Sequence, residues 1–251
     1  MSYRLGVDVG GTFTDFLLIN ESDGSTYTAK VPSTPEDSSI GVLNGVGRIC
    51  DQSGVNPKDI KLVMHGTTVA TNAVLTGNGA KVGLLTSQGY ESILQVARSF
   101  CPGGLGGWVS FVKGPLLAPL ELTYGIKERT DASGKISIPL DEDHLREQLA
   151  QLKKRDQVEA LTISFVNSYI NNANEVLAAK IAGEIFTDVP ISISSEVIPE
   201  MQEYERAETT VLNSYVRPQV SSYVNNLQSN LEKSLGSDVQ LSILRLSLIH
   251  I

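Results

Sequence analysis

Alternating apolar and polar positions open the chain. Apolar residues occupy every second position from Leu5 to Val9, and a second apolar run extends from Phe16 to Ile19. The two runs flank Gly10-Gly11-Thr12, and period-two alternation around such a break predicts a β-hairpin. After a turn at residues 22–25, the segment from Thr26 to Val31 predicts a third antiparallel strand.

Helical and strand patterns alternate through the rest of the chain. Apolar spacings of three and four residues predict helices at 36–53, 90–98, 141–152, 174–186 and 200–235, the last interrupted near Pro218. Another helix is predicted from residue 70 to its close at Gly77-Asn78-Gly79. Short apolar runs predict strands at 60–64, 81–86, 158–166, 191–193 and 239–244, with 124–130 extended. This alternation implies the α/β class, with a mixed sheet covered by helices.

One segment interrupts the alternation of helices and strands. Residues 99–120 hold five glycines and three prolines, and a long irregular stretch of this kind is more often functional than a plain connection. Gly103, Gly104, Gly106 and Gly107 are candidates for the hinge of a substrate lid. Trp108 could anchor such a lid, but we expect it to be a buried residue that packs this segment onto the domain.

Composition narrows the classes of partner. The 251 residues are 41% hydrophobic, enough for one large domain or two smaller ones. A net charge of −8 argues against nucleic acid or an anionic membrane as the main partner. Cys50 and Cys101 show no paired spacing, and no apolar run approaches 18 residues. We therefore expect a soluble cytoplasmic protein.

The hairpin turn carries candidate chemistry. Successive N–H groups in a glycine-rich turn form a concavity that binds anions, and Asp8 on the preceding strand is well placed to hold a hydrated Mg²⁺. These features predict a site for a nucleoside triphosphate. The alternative is a plain hairpin turn, because the segment matches neither a GxxxxGK[ST] loop nor a GxGxxG loop.

Four blocks in register carry a family resemblance. The first, D-x-G-G-T-x-T-D, resembles the first phosphate loop of the actin, sugar kinase and chaperone ATPase superfamily. The others are MHGTTVATNAVL (64–75), SFVNSYINNANE (164–175) and EVIPEMQEYERAETTVLNSYVRP (196–218). Together they resemble the N-terminal half of the hydantoinase A/5-oxoprolinase family, to which acetone and acetophenone carboxylase subunits also belong.

The resemblance implies a fold and a reaction. The fold is an actin-like (ribonuclease H-like) ATPase lobe, with an N-terminal domain at 1–195 and the start of a second domain at 196–251. The reaction is ATP-dependent activation of a carbonyl, by phosphorylating an amide or enolate oxygen, in a hydrolase of cyclic amides such as 5-oxoproline or hydantoin. A subunit of an acetone- or acetophenone-type carboxylase is an alternative, and a non-catalytic nucleotide-binding module is a second one.

The resemblance also implies ligands and partners. ATP and Mg²⁺ are the expected cofactors, a cyclic amide or ketone is the expected substrate, and a hydantoinase B-type subunit or domain is the expected partner. Family members continue through a glycine-rich turn into a second lobe, whereas residues 246–251 carry no turn signal. We therefore expect a fragment whose last residues depart from family sequence, with little or no turnover alone.

The loop residues receive roles on this basis. Asp8 would orient Mg²⁺ or its waters, and Gly10, Gly11 and Thr12 would offer N–H groups to the phosphates. Thr14 and Asp15 would shape the loop, with Asp15 as a second carboxylate near the metal and a catalytic candidate.

His65 is the second catalytic candidate. It is read as the end of an apolar strand, where α/β sheets place ligands, and its ordinary pKa suits a general acid or a substrate-positioning group. Gly66, Thr67 and Thr68 would open a helix whose N-terminus favours an anion, and Asn72 one turn later would face substrate or phosphate. The alternative is a packed histidine, a threonine that only caps the helix, and a solvated Asn72.

Glu205 and Arg206 complete the set. In the family this block lies near the cleft between domains, so both are candidates for positioning substrate. The alternative is that they form solvated helical ion pairs.

Overall fold

The structure, a computed structural model, describes residues 2–10, 12–34, 38–99, 104, 106–107, 113–155 and 157–244. The chain forms two compact units, one of Met1–Asn78 with Gln219–Ile251 and the other of Gly79–Pro218. These units do not follow the 1–195 and 196–251 division. That division concerns family regions, and it stays a prediction.

The strands and helices of the described residues follow the predicted alternation. The strands are β1 (Tyr3–Val9), β2 (Phe13–Asn20), β3 (Thr26–Pro32), β4 (Ile60–Thr67), β5 (Val82–Ser87), β6 (Thr123–Ile126), β7 (Arg129–Thr130), β8 (Ile136–Ile138), β9 (Ala160–Ser164), β10 (Ile191–Ile193) and β11 (Gln240–Leu244). The helices are α1 (Ser38–Ser53), α2 (Val69–Thr76), α3 (Ile93–Val96), α4 (Glu142–Lys154), α5 (Ala173–Ile185), α6 (Ser194–Val197) and α7 (Glu203–Leu235).

The first unit is built on a five-stranded mixed sheet. Its strand order is β11-β4-β1-β2-β3, with β1, β2 and β3 antiparallel and β4 parallel to both β1 and β11. Strand β1 therefore lies at the centre. One face of the sheet packs its apolar side chains against α1 and the C-terminal half of α7 to form one hydrophobic core.

The alternation along β1 decides which side chains reach that core. Leu5, Val7 and Val9 are buried in it, whereas Gly6 and Asp8 lie on the opposite face. Because neighbouring strands obey the same period of two, the chain builds one apolar face and one face that carries polar and charged groups.

The second unit is built on a four-stranded parallel sheet of order β10-β9-β5-β6. Helices α4 and α5 pack on one face, and the N-terminal half of α7 contributes to the core on the other. Every residue of β5 and β9 is buried, as is typical of parallel strands covered on both faces.

The predicted class, an α/β fold with mixed strands flanked by helices, is confirmed. The predicted interruption near Pro218 is wrong, because α7 runs unbroken through that residue. A proline inside a helix costs about 3 kcal/mol, and burial of Val211 and Tyr215 before it and of Tyr223 and Leu227 after it offsets that cost.

Two predicted boundaries are also wrong. Strand β4 extends to Thr67 rather than ending at Met64, because its pairing with β1 continues to Val9. Helix α3 covers only Ile93–Val96, because Ala97 has a φ of 51° that no right-handed helix accepts.

Several sequence predictions fall outside the described residues. They concern Gly11, the start of the helix predicted at 36–53, Cys101, Gly103, Trp108 and the departure from family sequence at 246–251. Over the helices that the structure describes, none combines the length and the apolar character needed to cross a membrane.

The packing of α1 on β2 gives a test of the first core. A Cβ at Gly45 would lie 1.9–2.6 Å from three ring carbons of Phe16, a side chain that is only 3% exposed. We expect Gly45→Ala to lower the free energy of unfolding by about 1–3 kcal/mol through overpacking.

Gly47 is the matched control for that substitution. A Cβ at Gly47 would meet nothing within 4 Å, so Gly47→Ala should raise stability by about 0.5–1 kcal/mol. Urea unfolding of both variants checks the pair, and equal effects at the two positions would contradict this packing.

Candidate functional site

Asp8 lies on the face of the first sheet that the core leaves uncovered. It is exposed, and its backbone neighbours are Asp15 on β2 and Gly66 on β4. A Cβ at position 66 would lie 3.4 Å from Asp8 Oδ1, so Gly66 leaves the carboxylate room. Because β1 and β4 are parallel, Asp8 and Gly66 both lie toward carboxyl ends of strands, where α/β sheets bind ligands.

The turn after β1 closes on itself. The Gly10 N–H donates to the Phe13 carbonyl at 3.0 Å, and a Cβ at Gly10 would lie only 2.9 Å from that oxygen. The turn thus requires glycine at this position. The predicted phosphate contact through the Gly10 N–H would have to replace this bond, and it stays a prediction.

Ser33, which sequence reasoning missed, fastens the turn to the end of β3. Its hydroxyl donates to the Gly10 carbonyl at 2.7 Å and lies 3.0 Å from Thr14 Oγ1, while its N–H donates to the Thr12 carbonyl at 3.0 Å. Thr14 is fully buried, and its role in shaping the loop stays a prediction. The pairing of Phe13 with Pro32 is the signal that brings Ser33 to the turn.

Asp15 has a cationic partner. Its carboxylate lies 3.0 Å from Lys30 Nζ, directly across the β2–β3 pair, and the ammonium lies 5.2 Å from the centre of the Phe13 ring. Arg48 donates to the Lys30 carbonyl at 3.1 Å. Both members of the Asp15–Lys30 pair are more than half exposed, so the pair contributes about 0–1 kcal/mol and leaves the carboxylate free to rearrange.

These groups share one groove. It has a volume of about 1000 Å³ and runs across the uncovered sheet face, with Gly66 and Met64 among the lining residues. Asp8 and Asp15 supply its negative charges, and Lys30 and Arg48 supply its positive ones. The groove therefore brings together the loop carboxylates that the sequence predicted and two cations that it did not.

His65 lies on the other face of β4. The ring is fully buried in the first unit, and its Nε2 lies 2.7 Å from the Tyr223 hydroxyl of α7. Burial lowers the pKa of His65 below its ordinary value, although the Val7 carbonyl and Asp8 favour the protonated ring. The alternative of a packed histidine describes this placement, and the catalytic role stays an untested prediction.

The residues after His65 bond mostly to one another. Thr67 Oγ1 accepts the Val69 N–H at 3.3 Å, and Thr68, the N-cap residue of α2, makes no side-chain capping bond. The exposed Asn72 side chain donates to Thr68 Oγ1 at 3.4 Å. Their predicted contacts with substrate or phosphate are not tested.

In the second unit, Arg206 is a buried anchor. It is 1% exposed and donates to the carbonyls of Phe165 at 2.7 Å and Glu200 at 3.1 Å, and to the Ser194 hydroxyl at 3.2 Å. Arg206 also lies 3.9 Å from the Glu203 carboxylate three residues earlier, but because Arg206 is buried this is not the solvated pair expected as the alternative. Glu205 instead pairs with Arg98.

The carboxylates of the groove fit Mg²⁺ better than a metal that takes all of its ligands from protein side chains. Across the described ranges, no three histidine, cysteine or acidic side chains converge on one point. Mg²⁺ typically keeps several waters and uses one or two carboxylates together with substrate phosphates. The exposed Asp8 carboxylate beside the Gly66 backbone meets that requirement.

Comparison with known proteins identifies relatives. The sequence model of the hydantoinase/oxoprolinase N-terminal region matches residues 4–186. The caprolactamase subunit alpha of Pseudomonas jessenii is 35% identical over 92% of this chain and 34% of its own length. The acetophenone carboxylase gamma subunit of Aromatoleum aromaticum is 34% identical over 85% of this chain and 31% of its own length.

A solved structure shows the same fold. The crystal structure of the ATP-dependent caprolactamase from Pseudomonas jessenii superposes with a TM-score of 0.85 and 33% identity, over 96% of this chain and 35% of that one. The chain thus spans about a third of the length of these relatives.

Ser33 gives the first test of the site. We expect Ser33→Ala to speed amide hydrogen exchange of Gly10 and Thr14 by about fivefold to tenfold, because a lost hydrogen bond costs about 1 kcal/mol. Ser22→Ala, in the exposed turn between β2 and β3, is the control. Equal exchange at the loop in both variants would show that Ser33 does not hold it.

His65 gives a test based on pH. Burial favours the neutral ring in the folded state, so the unfolded chain binds a proton at this residue more readily than the folded one. The free energy of unfolding is therefore unaffected by His65 above pH 6.5 and declines as the pH falls below that value. We expect the imidazole NMR signals of His65 to titrate with a midpoint below 6.5. A midpoint above 6.5 would contradict the buried placement.

Proposed function

The chain belongs to the hydantoinase/oxoprolinase family, and on that premise we propose that it is the N-terminal portion of an ATP-dependent enzyme. This enzyme activates the carbonyl of a small cyclic amide by phosphorylating its oxygen. The observation that carries the proposal is the placement of Asp8 beside Gly66, next to a glycine turn that Ser33 fastens. That arrangement supports a phosphate and metal site in the groove.

The chemistry requires positioning more than a reactive side chain. Amide resonance makes the carbonyl a poor electrophile, and phosphorylation of its oxygen removes that resonance and creates a leaving group. Phosphoryl transfer depends chiefly on orientation and on stabilisation of charge. A groove with fixed backbone and a few exposed charges suits that task.

Charged residues of the groove and the turn after β1 would divide this work. Asp8 would hold Mg²⁺ or its waters, and the amides of Gly11 and Thr12 would face the phosphates. When bound, Mg²⁺ supplies positive charge that stabilises the phosphoryl oxygens. Lys30 would add a second positive charge once it separates from Asp15, which lies 3.0 Å away.

His65 supports the site indirectly, from the core face of the sheet. Its ring lies on the core face, one residue before Gly66, and its bond to Tyr223 fixes that part of β4. We propose that His65 positions the strand rather than contacting substrate. Thr67, Thr68, Asn72, Glu205 and Arg206 remain candidates for positioning substrate, and the contacts of Arg206 favour a structural role.

A carboxylase subunit is the second candidate. The acetophenone carboxylase gamma subunit is nearly as similar to this chain as the caprolactamase subunit, and both reactions would use the same phosphate loop. Both relatives are named as subunits, so we also propose that this chain acts with a partner of the hydantoinase B type. The part of the enzyme that relatives carry beyond the matched third would complete the site.

The test is made on the full-length protein with its partner subunit. We expect Asp8→Asn to lower lactam-dependent ATP hydrolysis about 100-fold or more, the size of loss typical when a preorganised charge stabiliser is removed. Asp51→Asn, which alters an exposed carboxylate on α1, should leave the rate within twofold. An unchanged rate in Asp8→Asn would contradict the proposal.

Exchange of substrates separates the two candidate reactions. Phosphate release driven by a lactam without bicarbonate supports the hydrolase, whereas release that requires a ketone and bicarbonate supports the carboxylase.

A further inference from the structure

Two Asn-Gly pairs occur in the chain, and the fold places them in different backbone environments. Asn44-Gly45 lies inside α1, whereas Asn78-Gly79 lies in the loop between α2 and β5. Both asparagine residues are exposed to solvent. The two pairs therefore differ in backbone conformation, and not in dipeptide sequence or in exposure of the asparagine.

An Asn-Gly pair is chemically reactive, because the backbone nitrogen of the glycine attacks Cγ of the asparagine. The new N–Cγ bond closes a five-membered succinimide ring, and the side-chain NH₂ group leaves as ammonia with the proton that the backbone nitrogen loses. Water then opens the ring at either carbonyl and yields aspartate or isoaspartate. Glycine favours the attack because it has no Cβ and adopts the required backbone conformation without strain.

Helix α1 opposes this reaction at Asn44. Helical geometry commits the Gly45 N–H to the carbonyl four residues earlier. Gly45 is also buried, and a Cβ there would lie 1.9–2.6 Å from three ring carbons of Phe16. The Gly45 nitrogen therefore reaches the Asn44 side chain only when α1 opens locally.

The backbone nitrogen of the second pair is available for the attack. Within the part of the chain that the structure describes, no acceptor binds the Gly79 N–H. Helix α2 has already ended, because Gly77 has a left-handed φ of 69°. The Asn78 Nδ2 donates to Thr76 Oγ1 at 3.1 Å, and one exposed neutral hydrogen bond is a weak restraint on the side chain.

The chain is anchored on both sides of this pair. The Asn78 N–H donates to the Ala73 carbonyl at 3.0 Å, and the Ala80 N–H donates to the Tyr215 carbonyl at 2.8 Å. A Cβ at Gly79 would lie 2.1–2.3 Å from three ring carbons of Tyr215. Packing on Tyr215 thus requires the same glycine that makes the pair reactive.

From these contacts we propose that Asn78 is a site of spontaneous deamidation, which converts it to isoaspartate and aspartate while Asn44 persists. The reaction needs only water and the folded backbone. It is therefore independent of the proposed ATP-dependent activity.

The modification weakens the end of α2. Isoaspartate inserts the side-chain methylene into the backbone between two anchored segments. Aspartate places a negative charge beside the C-terminus of the helix, where the helix dipole disfavours anions. Because α2 begins directly after Thr68, the change acts on the helix that follows the Gly66–Thr68 block of the candidate site.

Peptide mapping by mass spectrometry tests the site on the full-length protein incubated at pH 8. We expect Asn78 to deamidate at least tenfold faster than Asn44, because α1 must open before Asn44 reacts. Equal rates or a faster reaction at Asn44 would overturn the proposal. So would an unreacted Asn78 over a period in which the urea-unfolded protein deamidates.

The same incubation in urea separates the effect of the fold from that of the sequence. In the unfolded protein we expect the two rates to agree within about threefold, because glycine follows asparagine at both sites. A tenfold contrast that persists in urea would show that neighbouring sequence selects Asn78, and it would overturn the argument from the fold.

Asn78→Gln tests the chemistry. Its longer side chain would have to close a six-membered ring, so we expect no isoaspartate in the peptide that contains residue 78 and an unchanged rate at Asn44. Isoaspartate that still forms in that peptide would overturn the assignment to Asn78.

Asn78→Asp reproduces one product and tests its effect on α2. We expect amide hydrogen exchange at residues 77 and 78 to become about twofold to fivefold faster, because a carboxylate disfavours the helix C-terminus. Asn44→Asp is the matched control and should leave exchange at these two amides unchanged. Equal exchange in the two variants would overturn the proposed effect on α2.

Discussion

The pairing of β1 with strands on both sides is the constraint on which the candidate site depends. Val7 pairs with Phe16 and His65, and Asp8 pairs with Asp15 and Gly66. Because side chains alternate along each strand, this register sends the first set into the core and the second set to the uncovered face. A shift by one residue would bury Asp8 and expose Val7, so the apolar core itself keeps the carboxylate at the groove.

The sequence predicted most of the elements because their signals are local. The hairpin followed from alternation around Gly10, and the buried strand β9 followed from a short, mainly apolar run. The errors arose where distant contacts override local preference. The sequence predicted that the strand ends at Met64 and that Gly66 opens a helix, yet pairing with β1 continues β4 through both His65 and Gly66. Packing on both sides likewise carries α7 through Pro218.

The sequence also predicted part of the candidate site, and only the local part. Asp8 and the glycine turn were visible from sequence, since an acid followed by a glycine turn is a local pattern. Ser33 was not, because only the register of β2 with β3 brings it to Gly10. The buried state of Arg206 was equally hidden, because the Phe165 carbonyl that it binds lies 41 residues away in sequence.

The proposed function requires the loop after β1 and the Asp8 carboxylate to bind a metal-bound polyphosphate. The most direct measurement is paramagnetic broadening of backbone amide signals when Mn²⁺ replaces Mg²⁺ with a non-hydrolysable ATP analogue, on the full-length protein. We expect the broadening to centre on Asp8, Thr12 and Gly66. Unbroadened signals at those three residues, with strong broadening elsewhere in the protein, would contradict it.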